Sequence, residues 1–305
     1  MAGAAVPGAG WSFRGEASCF SRVEALSSRT YLVVEDDRFG EHPYMYVVVG
    51  NDAGATLIDT GVGTASYAAW LDGFLPTVGA TGVRRVINTH AHFDHVAGNA
   101  DLAGRGVEIC AGGRDREFTS TAVEARDGSL ARQVGCDVAP YRVDRWLADD
   151  EVVDGLRIMW TPGHTPDSVC LWHEADHTLF LGDSLYPWSP VILANADSDL
   201  DAYRRSVRRL HDFVQSHDRR IRLACAHNDA DLQPSALRDM VALVDDVVRG
   251  TVRPRTDGAA AASSPTPSSG SAILLFERGP ISITVRADDP ALPPSSGGRD
   301  SARVV

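Results

Sequence analysis

Thr89-His90-Ala91-His92-Phe93-Asp94-His95 places three histidines and a carboxylate within six residues, directly after the apolar, β-branched run at 85–88. No other stretch limits the chain so strongly, because such closely spaced side chains can act together only in certain backbone conformations. On a helix each residue turns about 100°, so His90 and His92 would point roughly 200° apart. In an extended segment leaving a strand, alternate side chains point the same way. The run therefore predicts a strand ending in a loop, with His90 and His92 aimed at one point and Asp94 and His95, beyond a turn, at a second. Imidazole and carboxylate are the ligand chemistry of zinc and iron sites. A surface loop that happens to be rich in histidine is the bland alternative.

Three more strand ends count against that alternative. Thr161-Pro162-Gly163-His164-Thr165-Pro166 follows the run at 156–160, Leu181-Gly182-Asp183-Ser184 closes the run at 178–181, and Ala226-His227 follows the run at 221–225. Four strand ends that each deliver a metal-type side chain describe a site built along one edge of a sheet. Further short strands are expected at 31–35, 44–49, 56–59 and 168–172, and helices at 65–75, 200–214 and 235–248. Strands followed by alternating strand and helix in two successive halves predict an α/β chain of sheets covered by helices. The middle, 112–145, is irregular, with mixed charge, and is expected to pack as helices with an excursion near the site.

Composition narrows the chemistry. The 305 residues carry 41 acidic against 29 basic side chains, a net charge of -12. Every basic residue is arginine, which excludes reactions that need a lysine Schiff base or a P-loop lysine. The acidic balance counts against nucleic acid or anionic lipid as a partner. Cys19, Cys110, Cys136, Cys170 and Cys225 are odd in number and never spaced as CxxC, so neither a disulfide framework nor a thiolate zinc knuckle is expected. Residues 1–10 lack the basic start and apolar run of a secretory leader, and no stretch approaches the ~20 apolar residues of a membrane span. These features predict a cytoplasmic protein without membrane-spanning or nucleic-acid partners, with a homo-oligomer left open.

The order HxHxDH, GH, GD, H, preceded by Ile58-Asp59-Thr60-Gly61, resembles the metallo-β-lactamase-fold hydrolases in their glyoxalase II-like branch. The resemblance implies an αββα sandwich, two mixed β-sheets flanked by helices. It also implies two zinc ions per chain, with iron or manganese accepted by the same ligands. His90, His92 and His164 would hold the first ion, Asp94, His95 and His227 the second, with Asp183 bridging and Asp59 supporting the loop from behind. Two departures from the family pattern touch this set: Ala226 stands where a glycine is usual before His227, and Asp167 where GHTPG has its last glycine.

The resemblance further implies hydrolysis of a thioester, acyl-CoA or glutathione thioester, by a metal-bridged hydroxide, with Asp94 orienting it and carrying a proton. Tyr186, three residues after Asp183, matches a tyrosine that can hydrogen-bond the carbonyl in family lactonases and in a branch of acyl-CoA thioesterases; a packed loop aromatic is its bland reading. An N-acyl homoserine lactonase and a mononuclear iron persulfide dioxygenase remain alternatives. His173, His177, His211 and His217 read as solvated, His42 as a loop residue that could reach the pocket rim. The stripe of Arg204, Arg205, Arg208 and Arg209 reads as a solvated face, with contact to a CoA phosphate as the sharper alternative. The expected organisation is a flexible N-terminus at 1–12, one metallo-β-lactamase-like domain at 13–257, a disordered linker at 258–270, an added β-hairpin at 271–287 and a disordered tail at 288–305.

Overall fold

A strand that is apolar at every position needs cover on both faces. The strand β3 (Tyr44–Val49) is buried along its whole length, and its two neighbours in the chain's first sheet are buried at all but one position each. The computed structural model describes residues 20–123, 129–217, 220–255 and 271–293; the segment 1–12, the linker 258–270 and most of the tail 288–305 lie outside the described residues.

The first sheet has the order β1-β2-β3-β4-β5-β6-β7. An antiparallel meander of β1 (Phe20–Ala25), β2 (Thr30–Glu35), β3 and β4 (Gly54–Ile58) passes into parallel strands β5 (Gly82–Ile87), β6 (Glu108–Gly112) and β7 (Arg145–Leu147). Helix α1 (Tyr67–Phe74) links β4 to β5, and the one-turn helices α2 (Phe93–Val96) and α3 (Asn99–Ala103) link β5 to β6. The irregular middle contributes α4 (Arg116–Ser120) and α5 (Leu130–Val134).

The second sheet has the order β13-β11-β10-β9-β8, built from β8 (Val152–Val153), β9 (Leu156–Trp160), β10 (Val169–His173), β11 (Thr178–Gly182) and β13 (Arg222–Cys225). Its pairings are antiparallel except β11 with β13, which are parallel because α6 (Leu200–Gln215) carries the chain across. Helix α7 (Ser235–Arg249) follows β13.

Three apolar clusters fill the spaces between layers. Leu32, Tyr46, Ile58 and Ile87 of the first sheet meet Ile158, Leu171 and Phe180 of the second between the two sheets. On the outer face of the first sheet, Met45, Leu57 and Val86 pack against Tyr67, Leu71 and Leu102 of the helices. On the outer face of the second, Cys170, Leu179 and Leu223 pack against Tyr203, Leu210, Leu237 and Met240 of α6 and α7. The chain is thus an αββα sandwich. A third, small sheet lies beside it: β12 (Pro190–Leu193) pairs in parallel with β15 (Ile281–Arg286), which pairs antiparallel with β14 (Ile273–Arg278). Among the described residues no helix is long and apolar enough to cross a membrane.

One reading fails here. His173 is buried rather than solvated, and its Nδ1 lies 3.1 Å from Asp176, whose carboxylate also accepts from Ser27 Oγ at 2.8 Å. The β10–β11 turn is therefore tied to the start of β2. His177 and His217 pack against Trp172, ring centroids 6.2 and 5.2 Å away, so they too have structural contacts.

Candidate metal centre

Parallel strands bring successive chain segments to the same edge, and that edge gathers the residues the motifs single out. β4 runs into Asp59, β5 into Thr89 to His95, β9 into His164, β11 into Asp183 and β13 into His227. Asp59 is left-handed, φ +62°, a conformation that aspartate tolerates better than most residues, and this turns its carboxylate under the histidine loop. Asp94 and His95 sit on the single turn of α2, which brings the His95 ring within 4.1 Å of that of His90, centroid to centroid.

The seven candidate residues form two groups joined through one carboxylate. His92 Nδ1 lies 3.0 Å from both His90 Nε2 and His164 Nε2. In the second group, Asp94 Oδ2 lies 3.2 Å from His95 Nε2 and 3.3 Å from His227 Nε2. Asp183 divides its oxygens between them. Oδ2 faces His164 Nε2 at 3.5 Å and His90 Nε2 at 4.0 Å, while Oδ1 faces His95 and His227 Nε2 at 3.5 Å each. His90, His92 and His164, His90, His95 and Asp183, and Asp94, His95 and His227 each present ligand atoms within 4.8 Å of one another.

The outward nitrogens explain which lone pairs point in. His95 Nδ1 is 2.9 Å from Asp59, His164 Nδ1 2.9 Å from the Ile192 carbonyl, and His227 Nδ1 3.0 Å from the Glu41 carbonyl. His90 Nδ1 is 3.1 Å from Thr89 Oγ1, which itself donates to Asp59 at 2.8 Å. Each acceptor holds the N–H on Nδ1 and leaves the Nε2 lone pair directed at the centre. The Nε2 atoms of these four rings converge with His92 Nδ1 and the Asp94 and Asp183 oxygens, an arrangement that suits a cation between them. The buried Nε2 of His95 and Oδ1 of Asp183 make no hydrogen bond, although they lie at ion-pair distance from each other. Donor set, orphaned atoms and spacing all fit divalent metal ions.

Charge is arranged to the same end. Burial, with the neighbouring imidazoles, holds His90 well below the usual imidazole range, and burial likewise lowers His164. Burial also opposes charge on His95, but Asp94, Asp183 and Asp59 outweigh it and hold the ring well above that range. His227 is pushed up to about 9, with Asp183 and Asp94 overcoming burial. For Asp94 burial alone would raise the carboxyl, yet His95 and His227 keep it well below the carboxylate range. The carboxylates of the second group thus demand positive charge, which a bound cation supplies in place of imidazolium protons.

The centre opens into a cavity of about 530 Å³, a size suited to a small-molecule ligand. Tyr186 lines it, its ring 5.3 Å from that of His227 and its hydroxyl donating to the Pro190 carbonyl at 3.3 Å. His42 also lies on the rim, left-handed at φ +47°.

Several supporting residues carry no sequence signal. Glu35 is fully buried and accepts from Val62 N at 2.6 Å, Thr64 N at 2.9 Å and Thr64 Oγ1 at 2.7 Å, fastening the loop beyond Asp59. Glu41 lines the cavity, and burial beside the Asp94 carboxylate pushes its carboxyl up to about 8. Glu35 closes the apolar strand β2 and Glu41 lies in the loop after it, and neither stands in a motif that marks it. Of the departures from the family pattern, Asp167 has a local purpose: its buried carboxylate accepts from Thr165 at 2.8 Å and Thr119 at 3.1 Å, clamping the His164 loop to α4. The arginine stripe is paired within the chain. Arg204 and Arg208 bind Asp245 of α7, Arg205 binds Asp201, and Arg209 reaches Asp149 and Asp150, none of them at the cavity.

Gly163 is where the histidine loop and α6 touch. Its φ is +141°, and a Cβ there would overlap the backbone of Tyr203, which cannot yield without moving the helix. Gly163→Ala is expected to destabilise the fold by about 2–3 kcal/mol, a loss of roughly 5 °C in thermal unfolding. An unchanged melting temperature would mean that α6 does not pack on the loop in this way.

A family model for the metallo-beta-lactamase superfamily matches residues 39–215. Among curated relatives, avaE of Aspergillus versicolor, named as a transcription factor, is 26% identical over 275 residues, 77% of this chain and 78% of that protein. A hydroxyacylglutathione hydrolase of Methylococcus capsulatus is 32% identical over 148 residues, covering 48% of this chain and 49% of its own. The acyl-coenzyme A thioesterase MBLAC2 of Gallus gallus is 32% identical over 186 residues, covering 52% and 63%. The match thus spans about half the length of the glutathione hydrolase. In structure, the DIM-1 metallo-beta-lactamase superposes with a TM-score of 0.57 at 17% identity, covering 73% of this chain and 96% of that one, a likeness of fold.

Proposed function

Because the chain belongs to the metallo-β-lactamase superfamily, whose members are metal-dependent hydrolases, we propose that it hydrolyses an acyl thioester using two divalent metal ions, zinc in the first instance. The observation that carries this reading is Asp183, whose two oxygens face two separate groups of nitrogen donors. His90, His92 and His164 would hold one ion, Asp94, His95 and His227 the other, with Asp183 shared. When bound, the ions would lower the pKa of water and draw electron density from an acyl carbonyl.

The chain's own residues have separable tasks. Asp59, Thr89, Ile192 and Glu41 orient the imidazoles through their outward nitrogens. Asp94, held ionised, is placed to accept a proton and return it to the leaving thiolate. Tyr186 stays protonated, because burial and the nearby Asp183 and Asp94 carboxylates raise its phenol well above the usual value, so it can act as a hydrogen-bond donor. Thioester is preferred to lactone because curated relatives named for hydroxyacylglutathione and acyl-CoA hydrolysis share the chain's matched region.

Elemental analysis of protein purified with zinc, manganese or iron is expected to find close to two ions per chain. Turnover is then compared on acyl-CoA, S-lactoylglutathione and an N-acyl homoserine lactone, with the thioesters expected to be faster. Absence of bound metal would sink the hydrolase reading, and turnover of the lactone alone would move it to that substrate. A single bound iron would instead point to the mononuclear dioxygenase chemistry.

A further inference from the structure

Trp188 lines the cavity yet is 77% exposed. Its backbone sits at φ +72°, a left-handed conformation that bulky side chains rarely adopt. Neither property favours the folded state, so the surrounding structure must enforce both. Trp188 N–H donates at 2.8 Å to the carbonyl of Pro280, in the turn between β14 and β15. On either side, the Asn228 amide donates to the Pro187 carbonyl at 2.8 Å and to Ser189 Oγ at 2.6 Å. Asn228 directly follows His227 and is itself left-handed, φ +67°. The loop is therefore pinned by the C-terminal hairpin and by the segment that bears a candidate ligand, while the indole is left in solvent.

We propose that Trp188 is a specificity-determining wall of the cavity, held out by the C-terminal hairpin to receive a bulky apolar acyl group of the substrate. The inference rests on the hydrolase reading above. An indole offers a large, flat apolar face whose burial under a ligand is favourable. Fixing it in advance removes the ordering cost that a mobile residue would incur on binding. Phe39, Leu130 and Ile192 add apolar surface to the same lining. An acetyl group is too small to cover an indole, whereas a phenylacetyl or octanoyl group is not.

The test uses acetyl, phenylacetyl and octanoyl thioesters of one small neutral thiol, N-acetylcysteamine, with metal-loaded full-length protein. Wild type is expected to prefer the two bulky acyl groups. In Trp188→Ala the ratio of kcat/KM for bulky over acetyl thioester is expected to fall about 10- to 100-fold, and Trp188→Phe to restore most of it. Val152→Ala, which removes the other large exposed apolar side chain among the described residues and lies outside the cavity lining, is expected to keep the ratio. Wild type without a bulky-group preference, or a preference that survives in Trp188→Ala, overturns the proposal. Calorimetric titration with the carboxylates acetate, phenylacetate and octanoate separates its failure from that of the hydrolase reading. If no thioester turns over but octanoate and phenylacetate bind more tightly than acetate only when Trp188 is present, the wall stands and the reaction assignment falls. If the three carboxylates bind alike, the wall falls as well.

Discussion

Replacing Asp183 by alanine is expected to lower bound metal and turnover together, with turnover reduced by at least ~10³-fold, the upper range for a single positioned donor. The reason is geometric. Among the described residues Asp183 is the side chain whose oxygens approach both groups, 3.5 Å from His164 on one side and 3.5 Å from His95 and His227 on the other. His95 and His227 keep their outward tethers to Asp59 and the Glu41 carbonyl, so the rings should stay in place after the substitution. The loss should therefore appear in elemental analysis and turnover while far-ultraviolet circular dichroism is unchanged. Full metal content in Asp183→Ala would show that the two groups do not share this carboxylate.

Tyr186→Phe separates holding the metal from using it. The hydroxyl donates only to the Pro190 carbonyl, at 3.3 Å, near the long limit of a hydrogen bond, so redirecting it towards a substrate oxygen gives up little. The ring remains packed against His227 in the variant, since phenylalanine keeps the same edge. Metal content is thus expected to be unchanged. If the hydroxyl donates to the carbonyl oxygen as charge develops there, its removal should raise the barrier by about 2–4 kcal/mol, or roughly 30- to 1,000-fold in rate. A rate close to wild type would leave Tyr186 as a packed loop aromatic.

What the sequence determined by itself was local. The period-two geometry of an extended segment was enough to read His90 and His92 as partners, and the strand ends were legible from apolar runs closed by Gly or Pro before His164 and Asp183 and from the run at 221–225 alone before His227. The long helices α6 and α7 were equally readable, because each carries its own apolar stripe. Strands whose stability is borrowed from distant partners were not. β12 begins at a proline and pairs with β15, about ninety residues later, so nothing near it in the chain announces a strand. The burial of His173 had the same origin, since Ser27 and Thr30 reach its partner Asp176 from another hairpin.

Only the tertiary structure decided how the ligand-type residues face one another: which oxygen of Asp183 meets which group, which nitrogen of each histidine is turned inward, and that Arg204 and Arg208 are taken by Asp245. Those outcomes depend on the approach of segments distant in the chain, such as Glu41 and His227, 186 residues apart, or Trp188 and the Asn228 and Pro280 that hold its loop. Side-chain identity sets what chemistry a residue can perform. The packing of two sheets sets the few ångströms of distance and the exclusion of water on which a metal site and its charges depend.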